Sequence, residues 1–133
     1  MILADTSAWV EFYRASGHPA HRTLARIIGD GVEVAITEPV VMEILAGVPG
    51  SRLREVRGEL MAFRMLPLEG LADFEHAASV YRHCRDRGET VRNQIDCLIS
   101  VVALRAGASI LHNDVGFDVI ARHTPLRIEP ATG

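Results

Sequence analysis

Lysine is absent from this sequence of 133 residues, and all 14 basic residues are arginines. Reactions that need an amine side chain are therefore excluded. Cysteine is nearly absent too, and since Cys84 and Cys97 both fall in predicted helices we expect reduced thiols, not a disulfide framework. No apolar run approaches the roughly 20 residues that span a bilayer. The N-terminus lacks the basic and apolar regions of a secretory signal, so we expect a cytoplasmic protein.

The charge balance does not by itself indicate a nucleic-acid partner. Seventeen acidic residues give a formal net charge of −3, whereas nucleic-acid-binding domains usually carry a basic excess. Arginine pairs well with phosphate. We nevertheless attribute the exclusive use of arginine to a GC-rich genome, which favours arginine codons, in preference to selection for phosphate binding. The length predicts a single domain over residues 1–133.

Short apolar strands alternate with helical patterns along the whole chain. This alternation predicts an α/β fold in three layers, with a short, mainly parallel central sheet flanked by helices. The apolar character of the strands suits a sheet that is covered on both faces. The predicted strands are 2–4, 33–36, 65–68, 109–112 and 126–128, and the predicted helices are 8–14, 19–29, 38–47 (with Thr37 as N-cap), 51–64, 71–87, 93–106 and 114–122.

Four acidic residues stand out by their positions in this pattern. Asp5 directly follows the first strand, and Asp114 follows the strand at 109–112. Ligands of such sheets bind beyond the carboxyl ends of the strands. Glu43 and Asp96 lie in helices whose neighbouring residues are mostly apolar, and an acid in a buried helix needs a partner. We call Asp5, Glu43, Asp96 and Asp114 the acidic quartet.

Each acid also has a purely structural explanation. Asp5 and Asp114 can serve as helix N-caps, and Asp96 can interact with the dipole of the helix that it begins. A buried ion pair with an arginine would account for Glu43. Two phosphate-processing classes with an acidic site can be set aside: phospho-receiver domains and haloacid-dehalogenase-like phosphatases both require a lysine, and the latter a second aspartate where Ser7 stands.

Taken together, the four acids favour a site for a hard divalent cation. Carboxylates gathered at one end of a sheet repel one another unless a cation compensates them, and Mg²⁺ and Mn²⁺ prefer oxygen ligands. No histidine or cysteine spacing typical of zinc is present among the six histidines and two cysteines.

The segments MILADTSAWVEF, TEPVVMEILAG, GETVRNQIDCLIS and HNDVGFDVIA, in this order, resemble the PIN-domain ribonucleases. More narrowly, they resemble the VapC-type toxins of type II toxin–antitoxin systems, and the resemblance covers essentially the whole chain. It implies an endoribonuclease that hydrolyses phosphodiester bonds, in tRNA or rRNA, and leaves 5′-phosphates and 3′-hydroxyls.

The resemblance also implies roles for particular residues. Asp5, Asp96 and Asp114 would bind Mg²⁺ or Mn²⁺, Glu43 would bind the metal or orient its water, and Thr6 and Ser7 would support the site. Many relatives have a further acid two positions after the fourth one, where this chain has Gly116, followed by Asp118. The number of metals and the role of Asp118, which equally suits a solvent-facing position, therefore stay open.

For the RNA backbone, the first candidate is Arg92, because it lies four residues before Asp96. The resemblance further implies a homodimer and a small VapB-type antitoxin, with the two proteins in a heterotetramer or larger complex. Trp9 is the aromatic residue of greatest interest for such interfaces, although helical apolar residues usually belong to the core. The alternative is a catalytically inactive PIN-fold module that binds RNA or a partner, and the retention of all four acids argues against it.

Overall fold

The computed structural model describes residues 1–132, which form one four-stranded sheet with the strand order β3-β2-β1-β4. Every neighbouring pair of strands is parallel. The strands are β1 (Ile2–Ala4), β2 (Val34–Ile36), β3 (Arg64–Met65) and β4 (Ser109–Leu111); the helices are α1 (Thr6–Arg14), α2 (Pro19–Gly29), α3 (Glu38–Gly47), α4 (Leu53–Leu60), α5 (Leu71–Asp86), α6 (Gln94–Ala106) and α7 (Val115–His123).

Helices cover both faces of the sheet. All residues of β1 and β2 are buried, and because successive side chains of a strand point to opposite faces, both faces must be covered. The helices pack mainly in two groups, α1 to α4 and α5 to α7. The predicted three-layer α/β fold with a parallel sheet is thus confirmed.

The order of the strands creates a switch point beside β1. The chain continues from β1 to β2 and then β3 on one side, whereas β4 pairs with β1 on the other side. Ala4 at the end of β1 lies opposite Leu111 at the end of β4. Ligand sites of open parallel sheets form at such a switch in strand order. The fold therefore places Asp5 and Asp114, which follow these strands, at the same end of the sheet.

Trp9 belongs to the hydrophobic core. It is only 1% exposed and contacts the rings of Phe12, Tyr13 and Phe63. The interest of Trp9 as an interface residue is therefore not supported by this structure, because the ring is already buried within the chain.

Several predicted boundaries were wrong by a few residues. α1 begins at Thr6 instead of Ala8, because Asp5 caps it. The helix predicted over 51–64 is a 3-10 turn followed by α4. α4 ends at Leu60, and the chain then leads into β3. The last predicted strand is reduced to a single parallel bridge between Ile110 and Ile128.

Thr37 occupies the N-cap position of α3, as predicted, but it makes no capping hydrogen bond. Its hydroxyl is buried without a partner among the described residues. Within residues 1–132, no helix is both long and apolar enough to cross a membrane.

Candidate acidic site

Asp5 is both a helix cap and a member of the candidate site. Its side chain is buried, at 4% exposure, and Oδ2 accepts hydrogen bonds of 3.0 Å from the backbone N–H and 2.6 Å from the hydroxyl of Ser7. These donors fix the orientation of the carboxylate at the start of α1. The two interpretations that the sequence left open are therefore compatible.

Ser7 links Asp5 to the neighbouring strand end. Its Oγ accepts a hydrogen bond of 2.8 Å from the backbone N–H of Asn113 while it donates to Asp5. The backbone N–H of Asp5 in turn donates to the carbonyl of Leu111 at 2.9 Å. These bonds join the segments that follow β1 and β4, and so bring Asp5 into the neighbourhood of Asp114.

Asp114 caps α7, with Oδ1 accepting a hydrogen bond of 2.9 Å from the backbone N–H of Gly116. The backbone N–H of Asp114 donates to Nδ1 of His112 at 2.9 Å. Because Nδ1 accepts, the proton of a neutral His112 ring lies on Nε2, which is 3.2 Å from Oδ1 of Asp118. Asp118 is half exposed, so it faces solvent and also contacts His112.

Glu43 projects from the middle of α3 toward the start of α1. Oε1 accepts a hydrogen bond of 2.9 Å from the hydroxyl of Thr6. The ion pair with an arginine that would have explained Glu43 structurally is not formed by any arginine within residues 1–132. Glu43 is half buried, and α3 is less enclosed than predicted because Met42 is 59% exposed.

Asp96 lies in the first turn of α6 and is 4% exposed. It fills space that the glycine at position 116 leaves open. A Cβ atom placed on Gly116 would overlap Oδ2 of Asp96 and lie 3.4 Å from Oδ1 of Asp114. This chain departs from the family pattern at Gly116, and the carboxylate of Asp96 occupies the space that a side chain at position 116 would fill.

The acidic quartet is close enough for its members to influence one another's ionisation. Burial raises the pKa of Asp96 to about 8, and the carboxylates of Asp114, Asp5 and Glu43 add to this increase. Burial also raises the pKa of Asp5, against the hydrogen bonds from Ser7, and the pKa of Glu43, against the hydrogen bond from Thr6. The four carboxyl groups thus form one electrostatically coupled unit.

No side chain of the described residues neutralises this unit. Across positions 1–132, no arginine or histidine forms an ion pair with any of the four acids. In the same range, no three histidine, cysteine or acidic side chains lie close enough together to be a preformed metal site. The quartet is therefore a set of oxygen donors that form no ion pair with any cationic side chain of residues 1–132.

Arg92 lies beside the quartet. It lines a cleft of about 410 Å³ together with Asp96 and Asp114, and its side chain is exposed. Among residues 1–132, Arg92 has no acidic partner.

Two supporting residues were not singled out from the sequence. His112 orients the backbone of Asp114, and Asn113 completes the link through Ser7. In the sequence they stand directly before Asp114 in the segment HNDVGFDVIA, and His112 was predicted to end the strand 109–112.

Fold and site together define a class of protein: a parallel α/β domain with an acidic ligand site at a switch in strand order. The family model described as PIN domain matches residues 2–123. Ribonuclease VapC11 of Mycobacterium tuberculosis is 43% identical over 129 residues, which are 96% of this chain and 96% of that protein. The chain therefore belongs to the PIN-domain family and, within it, to the VapC ribonucleases.

Solved structures agree with this assignment at the level of the fold. A toxin–antitoxin complex from Klebsiella pneumoniae superposes with a TM-score of 0.66 at 16% identity, over 86% of this chain and 88% of that one. VapBC2 from Rickettsia felis, bound to a DNA fragment from its promoter, gives a TM-score of 0.69 at 18% identity, over 97% and 98%. The family resemblance found in the sequence is confirmed.

Proposed function

We propose that this protein is a single-domain, Mg²⁺- or Mn²⁺-dependent endoribonuclease toxin whose metal is held by the acidic quartet. The VapC relative that supports the assignment is itself named a ribonuclease. The observation that carries the proposal is the set of four coupled carboxyl groups without a cationic side-chain partner in residues 1–132. Such a set is unfavourable for binding RNA phosphates unless a metal is present.

The donor set suits a hard divalent cation. Asp5, Asp96 and Asp114 supply carboxylate oxygens from the ends of two strands and the start of α6, and such oxygens are the ligands that Mg²⁺ and Mn²⁺ prefer. Burial and, after it, repulsion by the neighbouring carboxylates raise the pKa of Asp96, and a bound cation would offset this repulsion. When bound, Mg²⁺ or Mn²⁺ lowers the pKa of a coordinated water and offsets charge on the phosphate.

The chain's own residues then position the reactants. Ser7 holds the Asp5 carboxylate, and Thr6 binds one oxygen of Glu43, which leaves the other oxygen available to the attacking water. The water oxygen forms a bond to phosphorus, the bond to the 3′-oxygen breaks, and the proton that the water gives up is balanced by the proton that the 3′-oxygen takes up, so the products carry a 5′-phosphate and a 3′-hydroxyl. Arg92 at the cleft beside Asp96 and Asp114 binds a neighbouring phosphate.

For the partner we propose a small VapB-type antitoxin. It binds a homodimer of this protein in the cytoplasm, and the two proteins form a heterotetramer or larger complex. The support is the family assignment, together with the structural relative described as a toxin–antitoxin complex. An arginine from the antitoxin would compensate the acidic quartet, since the described part of this chain offers no cationic side chain of its own to it.

The experiment incubates purified total RNA with wild type, Asp5→Asn or Asp96→Asn. Each protein is tested with Mg²⁺, with Mn²⁺ and with chelator, and the end groups of the RNA products are then mapped. Asp30→Asn is the matched control, because Asp30 is exposed at the end of α2. We expect discrete cuts with 5′-phosphates in wild type and control only. Cuts that survive both site substitutions would refute the site, and binding of RNA without any cleavage would favour the inactive module.

A further inference from the structure

We propose that the cleft beside Asp96 and Asp114 is a subsite for one nucleotide that flanks the cleaved bond. We call it the α7 cleft; its walls are the loop with Thr90, Val91, Arg92 and Asn93 on one side, and Val115 and Val119 of α7 on the other. In this proposal the base packs on Val115, the amide of Asn93 contacts the base edge, and Arg92 binds the adjoining phosphate. The inference rests on the proposed ribonuclease activity and names a specificity determinant for it.

The position and size of the α7 cleft suit a nucleotide. Asp96, Asp114 and Gly116 line it together with the wall residues, so an occupant lies directly beside the carboxyl groups that would hold the metal. Its volume of about 410 Å³ falls within the roughly 300–1,000 Å³ that is typical of small-ligand sites.

One wall of the cleft offers an apolar platform. Val115 is 71% exposed at the first position of α7, and Val119 follows one turn later and is half buried. An apolar side chain held out into solvent beside an acidic site gains nothing from the fold of this chain. It can pack on the face of an unstacked base, because unstacked bases are held between aromatic or apolar side chains.

The opposite wall offers polar groups with unused donors. Oδ1 of Asn93 accepts a hydrogen bond of 3.0 Å from the backbone N–H of Ile95, which fixes the plane of the amide. Nδ2 makes no hydrogen bond within residues 1–132, so its two donors are available to a base edge. Arg92 next to it has no acidic partner in the same range and supplies the positive charge that a phosphate requires.

The two walls are fixed relative to each other by Glu89. Its carboxylate accepts hydrogen bonds from Nε of Arg122 at 3.1 Å and from Nε2 of His123 at 2.8 Å, both at the end of α7. The hydrogen bonds from Arg122 and His123 lower the pKa of Glu89 to about 2, so this link is charged at neutral pH. The loop is thereby attached to the helix that forms the other wall. Because the cleft is already formed, less free energy is lost on ordering its walls when a nucleotide binds.

The test measures binding without cleavage. In the Asp5→Asn chain with Mg²⁺, we would titrate four RNA tetranucleotides, one for each base, and follow the valine methyl signals by NMR. We expect the signals of Val115 and Val119 to shift, while those of Val32, which is exposed elsewhere on the surface, stay in place. Unmoved Val115 and Val119 signals in the presence of bound RNA would overturn the proposal.

Substitutions then separate base recognition from phosphate binding. Asn93→Ser keeps an N-cap oxygen for α6 but removes the amide donors, and we expect it to change the relative affinity for at least one base by about fivefold. Arg92→Gln should weaken all four oligonucleotides alike, and Arg26→Gln, an exposed arginine on α2, should weaken none of them. An unchanged base ranking in Asn93→Ser would overturn the role of the cleft in specificity. If wild type cleaves no RNA while these binding results hold, the hydrolase is refuted and the cleft is supported.

Discussion

The hydroxyl of Thr6 donates a hydrogen bond of 2.9 Å to Oε1 of Glu43, and thereby joins the first turn of α1 to the middle of α3. Glu43 is half buried and has no cationic partner in residues 1–132. Thr6 is therefore the residue that determines where this carboxylate points.

Thr6→Val preserves the shape of the side chain but removes the donor. We expect RNA cleavage to slow by about tenfold, because Glu43 loses its orientation, with a decrease in unfolding free energy of only about 1 kcal/mol. Thr6→Ser keeps a hydroxyl and should restore most of the rate. Initial cleavage rates and denaturant unfolding of the three proteins check this; a fully active Thr6→Val would show that Thr6 does not position Glu43.

Gly116→Ala tests whether Asp96 needs the space above this glycine. The added Cβ would overlap Oδ2 of Asp96, so we expect a destabilisation of about 1–3 kcal/mol together with weaker Mn²⁺ binding. The control is Gly58→Ala in α4, where a Cβ meets nothing within 4 Å. Helix propensity predicts that the control is stabilised by up to about 1 kcal/mol. Equal stability and equal Mn²⁺ affinity of Gly116→Ala and wild type would contradict the prediction.

The metal-free protein should lose stability as the pH rises from 5 to 8. Asp96 has a pKa of about 8 in the folded state, against an ordinary pKa of 3.8, so the folded state binds more protons across this range. Its free energy of unfolding then falls by at most about 1.4 kcal/mol per pH unit for this one carboxyl. The raised pKa values of Asp5 and Glu43 act in the same direction.

Urea unfolding in chelator between pH 5 and 8 measures this dependence. Asp96→Asn cannot ionise, so its stability should vary less with pH than that of wild type, and saturating Mg²⁺ should also reduce the wild-type slope. A stability that increases with pH, or an identical slope in Asp96→Asn, would contradict the electrostatic description of the quartet.

The two cysteines should be inert in the folded protein. Both are buried and free, and burial raises the pKa of Cys97 to about 12 and that of Cys84 above its ordinary value. Because the thiolate is the reactive form, a thiol reagent at pH 8 should label neither cysteine before unfolding and both after it. Rapid labelling of the native protein would show that the helices α5 and α6 open easily.

The positions of the acidic quartet follow from sequence reasoning because they depend on simple rules. Asp5 and Asp114 come directly after apolar segments that form neighbouring parallel strands, and the carboxyl ends of parallel strands share one end of the sheet. Glu43 and Asp96 were conspicuous as acids among apolar helical residues, and both occupy the expected helices. What the residues do in catalysis was implied by the family resemblance and stays a prediction.

The contacts that orient these acids were less accessible from the sequence. The bond between Ser7 and Asn113 joins residues 106 positions apart, and it depends on the register between β1 and β4, which no local pattern specifies. The space over Gly116 likewise depends on how α6 approaches α7. The sequence predicted a longer helix than α4, because apolar residues continue at helical spacing beyond Leu60 into the residues before β3.

Titration with Mn²⁺, followed by electron paramagnetic resonance, shows whether the acidic quartet holds a divalent cation. The proteins are wild type, Asp96→Asn, Asp114→Asn and the exposed control Asp30→Asn. We expect saturable Mn²⁺ binding in wild type and control, and binding weakened by at least about tenfold in the two site variants, since each loses a charged ligand. Equal Mn²⁺ binding by all four proteins would show that the acidic quartet does not hold the cation.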